Sequence, residues 1–207
     1  MPNHCTNLLS SEGDKSIIQI IEPYLTENKK SIDFNKILPM PEGILKTLNY
    51  STIEEITKER TPEEREAREK EQELLQDQNE KEYGYRSWYD WCVANWDTKW
   101  NAYSCYTLEE NVWDDIQDFS HIGFQTAWSP PINVIRELSK LTGQPLRMSY
   151  YDEGWMFGGE YIVDADGSEI DNCYEDIDDC PEHLREELDV QYFLDCREEY
   201  KKEEDDE

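Results

Sequence analysis

The sequence predicts an α+β fold: an antiparallel sheet with helices on one face, a charged helical insertion near residues 51–82 and an acidic C-terminal extension over residues 166–207. Three observations carry that expectation. Segments with strand alternation and helical spacing follow one another as strand, helix, insertion, helix, strands, helix, strands, an order that suits a sheet covered by helices. The 207 residues include 7 Trp, 13 Tyr and 5 Phe, which is enough aromatic surface to build a core, whereas disordered chains are poor in aromatics. The charge is uneven: the formal net charge is -29, and residues 164–207 hold 20 acidic against 4 basic residues.

Residues 5–11 are partly apolar and Gly13 ends them, which gives a first strand. Asp14 is placed to cap a helix that carries Ile17, Ile18, Ile21, Tyr24 and Leu25 on one face. Residues 32–41 read as an extended, proline-punctuated segment, and Pro41 starts a short helical turn through Leu48. Thr61-Pro62-Glu63-Glu64 spells a helix start, with a hydroxyl cap, proline at the first position and a glutamate to return the capping bond. The helix behind it has few apolar positions, chiefly Ala67, Leu74 and Leu75, so one narrow seam is expected to hold it. The pairs Glu64/Arg68, Glu66/Lys70 and Asp77/Lys81 are spaced to support it by about 0.2–0.5 kcal/mol each.

Residues 83–103 are the densest in aromatics. Ser87 can cap a helix there, with Trp88, Cys92 and Trp96 at helical spacing. Residues 104–109 and 118–128 read as strands. Ser129-Pro130-Pro131 opens the next helix, with Ile132, Ile135 and Leu138 inward and Gly143 as its stop. Residues 146–151 and 160–163 alternate as strands, Asp166-Gly167 is a hairpin turn, and residues 169–173 return. Pro181 starts a helix with Leu184, Leu188 and Tyr192 on one face.

Four stretches, MPNHCTNLL, DFNKILPMP (33–41), YGYRSWYDWCVANWDTKWNA (83–102) and FQTAWSPPINVIRELS (124–139), resemble the YubB-type ferredoxin-like family carried by plasmids and phages, and YYDEGWMFGGEY (150–161) fits its glycine-bearing strand pair. The resemblance covers roughly residues 1–165. It implies a ferredoxin-like domain over 1–165 and a mobile-element origin, and it carries no catalytic residues over. This chain departs from the family at His4, where Trp is frequent, at Asp97, where Gly is frequent, and in its heavier acidic extension.

The composition bounds function. A charge of -29 argues against direct contact with nucleic acid, which needs clustered Lys and Arg, and against an anionic membrane surface. It favours salt-sensitive encounter with a basic protein or nucleoprotein effector of the host. No run of about 18 apolar residues is present and the first residues lack a signal-peptide pattern, so the expected place is the cytoplasm of a bacterial host cell. There the 6 Cys are expected as thiols. His4, Cys5, His121, Cys173, Cys180 and His183 lack the close pairing of a zinc site. Asp164, Asp166, Ser168 and Glu175 lack the glycine of a calcium loop at the required place. Neither a phosphate-cradling loop nor a nucleophile motif is found, so a non-enzymatic protein without a cofactor is expected.

Two acidic rows remain as the candidate partner-binding residues. The first is Glu175, Asp176, Asp178, Asp179, Glu182, Glu186, Glu187 and Asp189; the second is Glu63, Glu66, Glu69 and Glu73. Carboxylates three or four residues apart on a helix stand about 5–6 Å apart, so rows of them can imitate a line of phosphates. Joined to a mobile-element origin, this reads as an inhibitor that fills the basic groove of a host defence complex of the CRISPR or restriction type. The rival reading gives the charge to solubility and lets an exposed aromatic, Trp91 in the Trp88/Trp91/Trp96/Trp100/Trp128 group, anchor a partner. An unrecognised metal protein or enzyme is the third reading.

Overall fold

Cys5, Asn7 and Leu9 alternate with Thr6, Leu8 and Ser10 in the segment that forms β1 (His4–Ser11), and all six are buried. Only a strand covered on both faces buries both sets of side chains. β1 accordingly lies inside the sheet, antiparallel to β3 (His121–Ala127) on one side and to β4 (Leu146–Asp152) on the other. The computed structural model describes residues 3–48, 50–58, 60–107, 120–154, 156–190 and 194. With β2 (Tyr103–Thr107), β5 (Gly158–Val163) and β6 (Glu169–Tyr174), the six strands run in the order β2-β3-β1-β4-β5-β6. The first four, with helices between β1 and β2 and between β3 and β4, follow the β-α-β-β-α-β ferredoxin-like plan. The β5–β6 hairpin widens that sheet, and its turn at Gly167 has the positive φ of 85° expected from Asp166-Gly167.

The front face of the sheet carries the main core. Leu9, Ile122, Phe124, Leu146, Met148, Tyr161 and Val163 point into it. Over them lie α1 (Ile17–Ile21), α2 (Phe34–Ile37), α3 (Glu42–Leu45), α6 (Trp88–Asn95) and α7 (Ile132–Thr142). The caps explain where these helices begin and end. Ser16, not Asp14, starts α1, in a reciprocal box with Gln19. Asp33 starts α2 inside the segment expected to be extended, and Asn101 Nδ2 holds the same Asp33 oxygen at 2.9 Å. Ser87 caps α6 and Gly143, at φ 65°, ends α7 as expected. The expected strand tails in 108–119, and Tyr192, lie outside the described residues.

The charged helix is α5 (Pro62–Tyr83), which follows the short α4 (Tyr50–Ile56), with Thr61 and Glu64 in the expected capping box and Gly84 left-handed behind it. Its seam is not the expected one. Leu74 is 62% exposed, while Gln72 and Asn79 are buried. Gln72 Oε1 accepts from Leu48 N at 2.9 Å and Asn79 Nδ2 donates to Gly43 O at 3.1 Å, so α5 is fastened to α3 and the loop behind it by polar side chains on backbone groups. A Cβ at Gly43 would stand 2.7 Å from Asn79 Oδ1, which explains the glycine. The expected supporting pairs do not form among the described residues. Glu64 serves the cap, Arg68 pairs with Glu71 at 2.5 Å, and Asp77 pairs with Arg86 at 2.7 Å.

The back face departs most from expectation. Helices were expected on one face only and an appended extension after residue 165. β6 is the expected returning strand and continues the sheet, but the segment behind it folds under the sheet as a second, smaller layer. A 3-10 turn (Ile177–Asp179) and α8 (Glu182–Glu187) bring Ile177, Cys180, Leu184, Leu188, Val190 and Leu194 against Leu8, Tyr106, Tyr151 and Tyr174. Gly158 gives Ile177 and Cys180 room to approach; a Cβ there would meet Ile177 Cδ1 at 2.6 Å. The acidity of this segment is the exposed side of a packed layer. Removing the fully buried Leu184 side chain by Leu184→Ala is expected to destabilise the whole protein by about 2–4 kcal/mol, read as one cooperative urea transition shifted to lower midpoint. Two separate transitions would show that the layer folds independently of the sheet.

Candidate partner-binding surface

The two acidic rows are both present, and the fold sets them apart. Glu63, Glu66, Glu69 and Glu73 are all exposed along α5, and none of the four is ion-paired among the described residues. The C-terminal row lies beneath the sheet. Glu175, Asp178, Asp179, Glu182, Glu186 and Asp189 are exposed there, and Asp176 is half-buried as the cap of the 3-10 turn, accepting from Asp178 N at 3.1 Å. α5 leans on the front helices and α8 on the back face, so the rows stand on opposite sides of the sheet and do not join into one line.

Glu187 is diverted from its row. It turns inward and takes a two-pronged bond from Arg147, with Nη1 at 2.8 Å and Nη2 at 2.7 Å. The Ser149 hydroxyl donates to the same carboxylate at 2.9 Å, and His121 Nε2 stands 3.4 Å away. The remaining Arg147 nitrogen, Nε, donates to Glu160 at 3.2 Å, and Asn172 donates to the other Glu160 oxygen at 3.2 Å. Burial pushes the Glu187 carboxyl up. Arg147, Ser149 and His121 outweigh that, and the net shift is downward. One strand-borne arginine thus gathers carboxylates from α8 and β5 under the sheet.

On the front face, a cleft of about 480 Å³ opens between the start of α7 and β6, lined by Asp97, Ile132, Asn133, Arg136, Phe157, Asp171 and Cys173. Asp97 sits at φ 62°, a conformation that favours glycine, and its carboxylate caps α7 by accepting from Asn133 N at 2.7 Å and Asn133 Nδ2 at 2.9 Å. Burial, joined by the charge of Asp171, pushes the Asp97 carboxyl up against the pull of Asn133 and Arg136. Tyr150 OH donates to Asp171 at 3.3 Å, and Arg136 is forked onto Glu169 at 2.6 and 2.9 Å.

The aromatic group divides between core and surface. Trp91, the anchor under the rival reading, is only 5% exposed and packs edge-to-face on Trp96, whose indole N–H bonds Leu38 O at 2.9 Å. Its exposed member is Trp128, at 39%, in edge-to-face contact at 6.1 Å with the equally exposed Tyr89 of α6, which also exposes Val93. Trp128 has φ 75°, and the Lys99 ammonium stands 5.0 Å over its ring and 4.6 Å over Trp100. Spacing alone gave no means of telling Trp91 from Trp128; the left-handed turn that exposes Trp128 leaves no mark in a sequence pattern.

The residues weighed as metal ligands are dispersed. Cys5 is buried with its thiol pushed up by desolvation, His4 bonds Tyr103, His121 serves Glu187, Cys173 lines the cleft and Cys180 packs under Gly158. Among the described residues, no three His, Cys, Asp or Glu side chains gather as a metal site, and no helix is long and apolar enough to cross a membrane.

A family model described as the ferredoxin-like domain in Api92-like protein matches residues 76–194. The match begins near the end of α5, runs through all the later strands and includes the back-face layer, so it crosses the expected boundary at 165/166. Neither a curated protein nor a solved structure matches the chain.

The position of Glu187 has a pH signature. Its folded pKa lies below the unfolded value of about 4.3, so its contribution is present above that pH and is lost as pH falls through the folded value. Glu187→Gln is expected to destabilise by about 2 kcal/mol at pH 7, with the gap from the parent closing below about pH 4. Urea titrations of both proteins from pH 7 to pH 3 measure it; a gap that stays constant to pH 3 contradicts the role given to this carboxylate.

Proposed function

The chain belongs to the family of ferredoxin-like domains in Api92-like proteins, and on that premise we propose that it is a non-enzymatic binding protein whose acidic surface engages a basic protein. The observation that carries this is the back-face row. Glu175, Asp179, Glu182, Glu186 and Asp189 are exposed and take part in no ion pair among the described residues, although they sit on a layer that is otherwise tightly packed. A carboxylate row held on a rigid support presents a fixed pattern of charge to a partner, which a floppy acidic tail does not. The separation of the two rows means that one groove engages one of them; the back-face row, spaced by three and four residues at Asp179, Glu182 and Glu186, is the one we assign.

The partner we propose is a host protein whose groove is built to hold nucleic acid, in a defence complex of the CRISPR or restriction type. Support for that finer reading comes from the resemblance of residues 83–102 and 124–139 to plasmid and phage proteins, and from the -29 charge. The carboxylates would take the place of phosphates in the groove and keep nucleic acid out.

A second reading has its own observation: Tyr89, Val93 and Trp128 form an exposed aromatic and apolar patch on the opposite side of the sheet, with Trp128 held in a left-handed conformation. Such a patch suits a partner that buries an apolar anchor.

One binding experiment separates the two. With a purified effector of either class, the triple variant Asp179→Asn, Glu182→Gln, Glu186→Gln is expected to weaken binding by about tenfold at low salt, with the deficit shrinking as salt rises. Tyr89→Ala with Trp128→Ala is expected to leave affinity nearly unchanged. The reverse pattern, or binding that does not weaken with salt, assigns the function to the aromatic patch.

A further inference from the structure

The sheet has two edges, and they are guarded differently. β2, at one edge, breaks register against β3 between Tyr103 and Tyr106, with Ser104 at φ 48°. A bulge of this kind twists an edge away from a neighbouring strand. β6, at the other edge, pairs with β5 alone and stays in unbroken register from Gly158↔Tyr174 to Val163↔Glu169. Residues 169–173 are all exposed, Ile170 at 53%, and the strand EIDNCY contains neither proline nor lysine. In an antiparallel edge strand, alternate N–H and C=O groups point away from the sheet and stay open to another strand. Among the described residues, no strand lies beyond β6.

Among the described residues, charge is the one guard on this edge. Glu169 and Asp171 stand on its front side, with Asp164 and Asp166 before them and Glu175 behind. Such a guard is selective. It repels a second copy of this strand, because like charges on neighbouring strands are unfavourable, and it attracts a strand of opposite sign. The front side of β6 also forms one wall of the cleft that holds Asp97 and Asp171; Arg136 lines it too but is held by Glu169, so a long cationic side chain on an added strand enters beside two carboxylates and against Ile132 and Phe157.

We propose that β6 is a docking edge, to which an extended lysine- or arginine-rich segment of a protein partner adds as a seventh strand. The inference rests on the reading that the partner is basic. It adds that backbone hydrogen bonds, as well as charge, hold the partner, and that alternate side chains of the segment are read by the cleft.

The test uses the full chain and two fluorescent probes of equal charge: the peptide KVKVKVK, and the same peptide with N-methyl groups on its valines, which removes their backbone donors. The unmodified probe is expected to bind at low salt and to slow hydrogen exchange at amides of β6. The N-methylated probe is expected to bind about tenfold more weakly. Asp171→Lys is expected to weaken the unmodified probe while sparing the exchange pattern of β1. Equal binding of the two probes, or slowed exchange confined to other strands, overturns strand addition and leaves the acidic-surface reading standing. If neither probe binds even at low salt, the basic-partner reading falls with it.

Discussion

The fork from Arg147 to Glu187 is the contact on which the arrangement of this protein turns. Arg147 projects from β4 on the back of the sheet, where an unpaired guanidinium under a packed layer would be unfavourable. Glu187 neutralises it from α8, Glu160 from β5, and the geometry of the planar fork fixes where α8 lies. Apolar burial by Leu184, Leu188 and Val190 supplies most of the attraction between layer and sheet. That attraction is not directional. The fork sets the register, and the register decides that Glu182 and Glu186 face outward while Leu184 faces in.

A related economy holds α5 in place. A helix so poor in apolar residues has little to bury, and its Gln72 and Asn79 side chains instead satisfy the Leu48 N–H and the Gly43 carbonyl. Both segments that look like solvent-borne charge in the sequence are therefore set in position on the domain by a few polar side chains that make bonds inside. The rest of their charge is left to face water or a partner.

Much of the architecture was legible because it is written in local chemistry. Thr61 with Glu64, Ser87, Gly143 and Asp166-Gly167 each mark an element boundary by a bond or a dihedral that few other residues provide, and each stands where it was expected. What was not legible depends on distant partners. Gln72, Asn79, Arg147 and Glu187 read as surface residues until the chain brings their partners to them over 13 to 40 residues of sequence. The α2 turn hid behind its flanking prolines, although Asp33 was a cap in plain sight. At the candidate surface, composition found the acidic rows. It had no means of showing that the sheet stands between them or that Trp91 is core while Trp128 is not, because both are consequences of topology.

The central place of β1 bears on how the chain reaches this structure. Asn7, buried in that strand, bonds the backbone of Phe124, 117 residues away, and Ser10 bonds that of Arg147, 137 residues away. No nearby segment pairs with the strand in the meantime; its neighbours in the sheet are both far along the chain. During synthesis, one edge of residues 4–11 therefore stays open until β3 has left the ribosome and the other until β4 has. A topology dominated by such distant pairings folds slowly and is open to wrong association while it does. The heavy negative charge then acquires a use that needs no partner at all: it keeps nascent and half-folded copies of this chain apart until the central strand is enclosed.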